Sequence, residues 1–219
     1  MSTSAIHISG PLLIGNDLLL VIDVQRDFCP GGRLAVPGGD AVVPAINRLI
    51  PHFEHVILTQ DWHPSNHTSF ASSHPGKQPF EQTAAEYGPQ TLWPDHCVQG
   101  TPGAEFHPDL DITRAELILR KGFRPAIDSY SAFLENDKQT TTGLAGYLRE
   151  RGFRRIFLAG LAYDYCVRYS AIDAVSAGFE AIVITGACRA IGLVTETEQA
   201  FAQSGVKLTT VEAIIPAHG

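Results

Sequence analysis

Leu18-Leu19-Leu20-Val21-Ile22-Asp23 is an unbroken apolar run that ends on a carboxylate. A strand with one solvated face alternates apolar and polar residues, so an uninterrupted run this short predicts a strand covered on both faces. Similar runs recur at His55–Thr59, Leu117–Leu119, Arg155–Ala159, Ala181–Thr185 and Val206–Thr210. Between several of them, Val42–Pro51, Leu144–Arg151, Cys166–Ala177 and Thr195–Gln203 carry helical spacing. The last opens on Thr195-x-x-Glu198, a capping-box pattern. Strands alternating with helices predict an α/β fold, three-layered α-β-α, about a central, mostly parallel sheet.

Working outward, the stretch from Asp61 to Arg114 breaks the alternation: it is rich in proline and histidine and shows no sustained period. A long irregular insert in a compact domain is usually functional or disordered, and its two tryptophans and clustered histidines argue against disorder. No repeat, low-complexity tract or composition break marks a linker, so residues 1–219 read as one domain with an extension at residues 1–15.

The chain has 219 residues, 44% of them hydrophobic, and a formal net charge of −7. That balance offers no basic face to nucleic acid or anionic lipid. Met1 to Asn16 carries no Lys or Arg and no long apolar run, and nothing elsewhere is long and apolar enough to span a bilayer, so neither a secretory signal nor a membrane span is expected. The four cysteines, Cys29, Cys97, Cys166 and Cys188, form no C-x-x-C pair. So few thiols argue against a disulfide framework or a cysteine zinc site, and a reducing cytoplasm is the expected compartment.

Ligands of open α/β sheets bind where strands end. Asp23, Asp61, Lys121 and Cys166 all fall at or just past predicted strand ends. Cys166 lies in Gly160-Leu-Ala-Tyr-Asp-Tyr-Cys166, where a strand runs into a helix predicted to begin near the cysteine. Free N–H groups there would favour a thiolate and could hold an oxyanion. A lone cysteine is ordinarily a small core residue, and Cys29, Cys97 and Cys188 keep that reading. Asp23 and Lys121 are unremarkable singly, but a nucleophilic thiol needs a proton acceptor and a nearby positive charge, which together they supply. Asp61-Trp-His63 sets a carboxylate and an imidazole on one side of an extended segment, with His67 and His96 in the same insert. Such a set suits one divalent transition ion, zinc, iron or manganese, although histidines in a proline-rich loop also simply cap turns.

In the segments Val21-Ile-Asp-Val-Gln-Arg-Asp-Phe-Cys-Pro-Gly-Gly32, Gln60-Asp-Trp-His-Pro-Ser-Asn-His-Thr-Ser-Phe-Ala71, Leu92-Trp-Pro-Asp-His-Cys-Val-Gln-Gly100, Lys121-Gly122, Asp128-Ser-Tyr-Ser-Ala-Phe133 and Gly160-Leu-Ala-Tyr-Asp-Tyr-Cys-Val167, the chain resembles bacterial nicotinamidases (pyrazinamidases) of the isochorismatase-like cysteine hydrolase superfamily. The resemblance implies hydrolysis of a small carboxamide by a triad of Asp23, Lys121 and Cys166. It implies an oxyanion hole at the N–H groups of Ala162 and Cys166, with a cis peptide between Leu161 and Ala162. It also implies a metal on Asp61, His63 and His96, with His67 or water as a fourth ligand, and aromatic walls at Phe28, Trp93 and Tyr130. A homo-oligomer is the family's expectation. Two positions depart from the pattern: Arg26 stands where Asn is common, and Tyr163, where Thr is common, is expected to narrow the pocket. The alternatives are a sister hydrolase of another amide, carbamoyl compound or ester without the ring-anchoring metal, a metal-hydroxide enzyme with a structural Cys166, and a non-catalytic metal-binding protein on the same fold.

Overall fold

The computed structural model describes residues 17–215; the extension at residues 1–15 lies outside them. In chain order the elements are β1 (Asp17–Ile22), α1 (Val42–Leu49), β2 (His55–Asp61), β3 (Gln82–Ala85), β4 (Gly88–Thr91), β5 (Ala115–Lys121), α2 (Leu144–Glu150), β6 (Arg155–Leu161), α3 (Arg168–Ser176), β7 (Glu180–Arg189), α4 (Val194–Ser204), β8 (Lys207–Thr209) and α5 (Val211–Ile214). Six strands form one sheet in the order β5-β2-β1-β6-β7-β8, and every pairing in it is parallel.

The apolar run Leu18–Ile22 lies near the centre of this sheet. Leu19 and Val21 face a core shared with Val42, Val43, Ile46 and Leu49 of α1 and Val211 of α5. Leu18, Leu20 and Ile22 face the opposite core, shared with Leu144 and Leu148 of α2, Ala171 and Ala174 of α3 and Phe201 of α4. Side chains alternate across a strand, so a strand roofed on both faces must be apolar at every position. Leu18, Leu19, Leu20 and Ile22 are fully buried, and burial of each contributes about 1.5–3 kcal/mol. At the margin, β5 pairs on one side only and leaves Ile118 43% exposed between Glu116 and Arg120, charged neighbours of the kind that discourage stray strand pairing. Among the described residues no helix is long and apolar enough to cross a membrane.

Two details differ from the sequence reading. The insert is not wholly irregular: β3 and β4 pair antiparallel across a two-residue turn at Glu86 and Tyr87. Their residues, Gln-Thr-Ala-Ala and Gly-Pro-Gln-Thr, carry no apolar alternation: only Gln90 is buried, and it is held by polar contacts to Asp128 and Tyr130. The capping box is also absent: α4 starts at Val194, and Leu193 at its cap position makes no side-chain cap bond. The orphan N–H groups ahead of the helix are met from outside the segment. Buried Asp164 accepts the N–H of Ile191 on Oδ1 at 2.9 Å and those of Gly192 and Leu193 on Oδ2 at 2.7 and 2.8 Å.

Leu20→Ala should lower unfolding free energy by about 2–5 kcal/mol, through lost burial and the cavity it leaves. Ile118→Ala on the open margin should cost within about 0.5 kcal/mol, as for other surface changes. Urea denaturation midpoints compare the two, and equal losses would contradict this account of the core.

Candidate active site

β5, β2, β1 and β6 are neighbours, so whatever their C-terminal ends carry is brought side by side. Lys121 closes β5 and Asp61 closes β2, and the two are register partners. Asp23 follows β1, and Ala162 follows β6. Gly160 makes the close approach of the last two strands possible: its φ is +119°, and a Cβ there would lie 2.8 Å from the Ile22 nitrogen.

Lys121 is fully buried and its Nζ gathers four groups. It lies 2.9 Å from Asp23 Oδ2, 2.5 Å from Asp61 Oδ1, 2.9 Å from the Ser129 carbonyl and 3.5 Å from Cys166 Sγ. Burial alone would drive the ammonium toward neutrality, but the two carboxylates hold its pKa well above the usual lysine value. Burial also works against the Asp61 carboxylate, yet Lys121, His63 and His96 outweigh it and keep that group ionised. Asp23 goes the other way: burial raises it further than Lys121 and the 2.6 Å hydrogen bond from Thr59 lower it. Asp23 is thus the carboxylate in this cluster with the stronger affinity for a proton.

Cys166 sits in a single π turn, Tyr163–Val167, that precedes α3, so the cysteine is inside the helical segment rather than at its first residue. It is still the fourth residue of that turn, close enough to its start for helix-end N–H groups to act, but burial works against a ready thiolate. Burial pushes the thiol well up, Lys121 only partly offsets it, and Asp23 and Asp61 add to the rise. The balance favours the neutral thiol over the thiolate. The peptide between Leu161 and Ala162 is cis.

The second cluster adjoins the first. Asp61, His63 and His96 present one ligand atom each within 4.8 Å of one another, all of them buried. His63 Nδ1 is 2.8 Å from the Gly122 carbonyl and His96 Nδ1 is 2.7 Å from the Pro94 carbonyl. Each therefore turns Nε2 toward Asp61 Oδ2, at 3.5 and 3.9 Å. Imidazoles fixed by a carbonyl on one nitrogen, with the other directed at a carboxylate, form the donor set of a divalent transition-metal site. His67 packs on His63 but has both nitrogens occupied, Nδ1 by Ser69 and Nε2 by the Ile127 carbonyl. His96 and His67 are both held down to about 4, by burial first and by His63 second.

Cys166 of the first cluster and Asp61 and His96 of the second reach one small pocket. Phe28, Trp93 and Tyr130 line it, as do Asp61, His96, Ala162 and Cys166. Tyr130 Oη accepts from Trp93 Nε1 at 3.1 Å and from Gln90 Nε2 at 3.2 Å, which fixes the two rings edge to face. Four further lining residues were not singled out from the sequence: Leu34, Asp128, Tyr165 and Ile191. Tyr165 stands beside the cysteine and Asp128 lies within a matched segment, so adjacency could have found them. Ile191 arrives only through the Asp164 hydrogen bonds and left no local signal. The two departures from the pattern lie away from the pocket. Tyr163 packs edge to face on Phe201 in the core beneath α4 instead of narrowing the opening, and Arg26 pairs at the surface with Glu105 at 3.2 Å.

Comparison with known proteins follows this geometry. The isochorismatase domain profile matches residues 17–213. The chain is 56% identical over 178 residues to the nicotinamidase of Acinetobacter baylyi, covering 81% of this chain and 83% of that protein. The solved Acinetobacter baumanii nicotinamidase/pyrazinamidase superposes with a TM-score of 0.89 at 54% identity, over 90% of this chain and 97% of that one. The pyrazinamidase of Pyrococcus horikoshii in complex with zinc superposes with a TM-score of 0.71 at 37% identity, over 89% and 99%.

Lys121→Met should cost about 3–5 kcal/mol of stability, since it leaves Asp23 and Asp61 buried without their cation. Adding Asp23→Asn to it should recover part of that loss. A double-mutant cycle by chemical denaturation measures the coupling, and strict additivity would mean that the ion cluster is not what Lys121 serves.

Proposed function

The chain belongs to the isochorismatase family, and on that premise we propose that it is a nicotinamidase, hydrolysing nicotinamide to nicotinate and ammonia through a thioester on Cys166. The observation that carries the reading is one aromatic-walled pocket lined by the Cys166 thiol and by Asp61 and His96 of the metal-ligand set, with Lys121 and Asp23 buried behind the thiol. Pyrazinamide, which keeps the carboxamide on a flat heteroaromatic ring, is the second substrate, and the product acid places the enzyme in NAD salvage.

The chemistry follows from the groups present. Asp23 takes the proton of the Cys166 thiol as sulfur attacks the carboxamide carbon. The C=O electrons move onto oxygen, where the Ala162 and Cys166 N–H groups stabilise the charge. Asp23 then gives its proton to the amide nitrogen, the C–N bond breaks and ammonia leaves. Water next adds to the thioester, losing a proton to Asp23, and the acid departs as the proton returns to sulfur. Lys121 stays protonated throughout and keeps the site positive enough for both anionic stages. The raised pKa of Asp23 suits a group that must accept and release one proton in each half of the cycle.

Asp61, His63 and His96 are the residues that would hold a divalent transition metal, zinc, iron or manganese, whose role when bound is to anchor the ring nitrogen of the substrate. Phe28, Trp93, Tyr130 and Tyr165 clasp the flat ring from its faces and edges. Four free thiols suit a reducing cytoplasm, and a homo-oligomer remains the family's expectation.

Ammonia release from nicotinamide should be abolished in Cys166→Ala, with the bound metal, quantified by elemental analysis, unchanged. Turnover retained without the thiol would sink the thioester scheme. Stripping the metal with a chelator should raise KM far more than it lowers kcat for a substrate that is anchored but not attacked by it.

A further inference from the structure

Asp27 is a buried carboxylate just outside the chemistry. It lies in the short turn Arg26–Phe28 that follows β1, and its oxygens accept backbone N–H groups from two different segments. Oδ1 takes the Arg33 N–H at 3.1 Å, and Oδ2 takes the Cys97 N–H, 70 residues away, at 2.8 Å. Its own carbonyl accepts the Leu34 N–H at 3.0 Å.

The Cys97 peptide is where the histidines meet. Its N–H side adjoins His96, and its carbonyl accepts the His63 N–H at 3.0 Å. The His63 carbonyl in turn accepts the Gln99 N–H at 2.8 Å. Cys97 holds φ at +45°, a left-handed conformation that a non-glycine residue keeps only where its surroundings impose it. The bond to Asp27 is the side-chain contact that imposes it on the N–H. Gly103 packs against the carboxylate with no room for a side chain: a Cβ there would run into both Asp27 oxygens.

We infer that Asp27 is a positioning residue for the metal-ligand pair His63 and His96, acting through the Cys97 peptide, and this rests on the metal reading proposed above. A carboxylate suits the task because it is acceptor-only, and both oxygens face N–H donors. Asparagine has the same shape but sets an NH₂ donor against one of two backbone donors. It must therefore break one contact, either to the ligand segment or to the loop that carries Leu34 into the pocket. The same carboxylate thus ties a pocket wall to the metal ligands, although it touches neither substrate nor metal.

The test titrates metal-free protein with zinc against a chromophoric chelator in wild type, Asp27→Asn, Gly103→Ala and Ile46→Val. Gly103→Ala keeps the acid but presses on it from behind, so it stands in if Asp27→Asn folds poorly. Ile46→Val trims the distant α1 core as a control for general destabilisation. Both site variants should bind zinc roughly 10- to 100-fold more weakly, the range for residues that support metal ligands. In cobalt-loaded protein they should also shift the ligand-field absorption bands. The Ile46→Val control should melt at a lower temperature with zinc affinity unchanged. Unaltered zinc affinity in both site variants, with wild type binding normally, overturns the role of Asp27. Failure of wild type to bind zinc, cobalt or iron at all would instead remove the metal reading on which it stands.

Discussion

One fully buried ammonium holds this site together. Taking Lys121 out of water costs several kcal/mol, a cost recovered only because two carboxylates lie within 2.9 Å and a carbonyl takes a third contact. Each partner comes from a different place: Asp61 from the adjoining strand, Asp23 from the turn after β1, and Ser129 from the loop beyond β5. Parallel register makes the convergence possible. With Asp61 and Lys121 paired at the last rung of β2 and β5, a one-residue slip would send one of them to the opposite face of the sheet. The sheet's apolar filling is therefore what fixes the electrostatics, since register is held by burial on both faces.

The same constraint accounts for the reactivity of the thiol. A site built to bury a charge cluster raises the cost of every additional charge, and the proton affinities of Cys166 and Asp23 both rise in response. A permanently ionised thiolate would have to be held against that cost by helix geometry. The π turn places Cys166 fourth in the helical segment, so its start can favour sulfur only against the cost of burial. In the proposed mechanism, proton transfer to Asp23 at the moment of attack would create the anion only when a carbonyl carbon is present to take up its charge.

How far all this was legible depended on whether the signal was local. The apolar run at Leu18–Ile22 announces a doubly covered strand because burial on both faces leaves no polar position, and the strand-end acids and bases follow from it. The hairpin of β3 and β4 gave no such sign, because strands that bury no apolar side chain need no alternation. Thr195 and Glu198 had the residue types of a cap, but the groups needing one belong to Ile191, Gly192 and Leu193, and Asp164 reaches them from 27 to 29 residues away. Tyr163 was misplaced for a similar reason. Its neighbours in sequence line the pocket, while the turn it sits in sends its ring to Phe201 on the other side.

Asp61 is the residue through which the two halves of the site constrain each other. Its Oδ1 is committed to Lys121, and its Oδ2 faces the free nitrogens of His63 and His96. Neither oxygen can be re-aimed without disturbing the other, because the strand-end backbone is itself held by Gln25, whose Oε1 accepts the Asp61 N–H at 2.8 Å and whose Nε2 donates to the Asp61 carbonyl at 2.8 Å. A cation at the histidines draws on the same carboxylate that neutralises Lys121, so filling one side weakens the hold on the other and shifts the ammonium's favour toward Asp23 and the sulfur. On this geometry a metal held at the histidines would influence the thiol electrostatically and indirectly, through a shared carboxylate. In the proposed mechanism, anchoring of the ring nitrogen and attack on its carboxamide would thereby be coupled within one buried network.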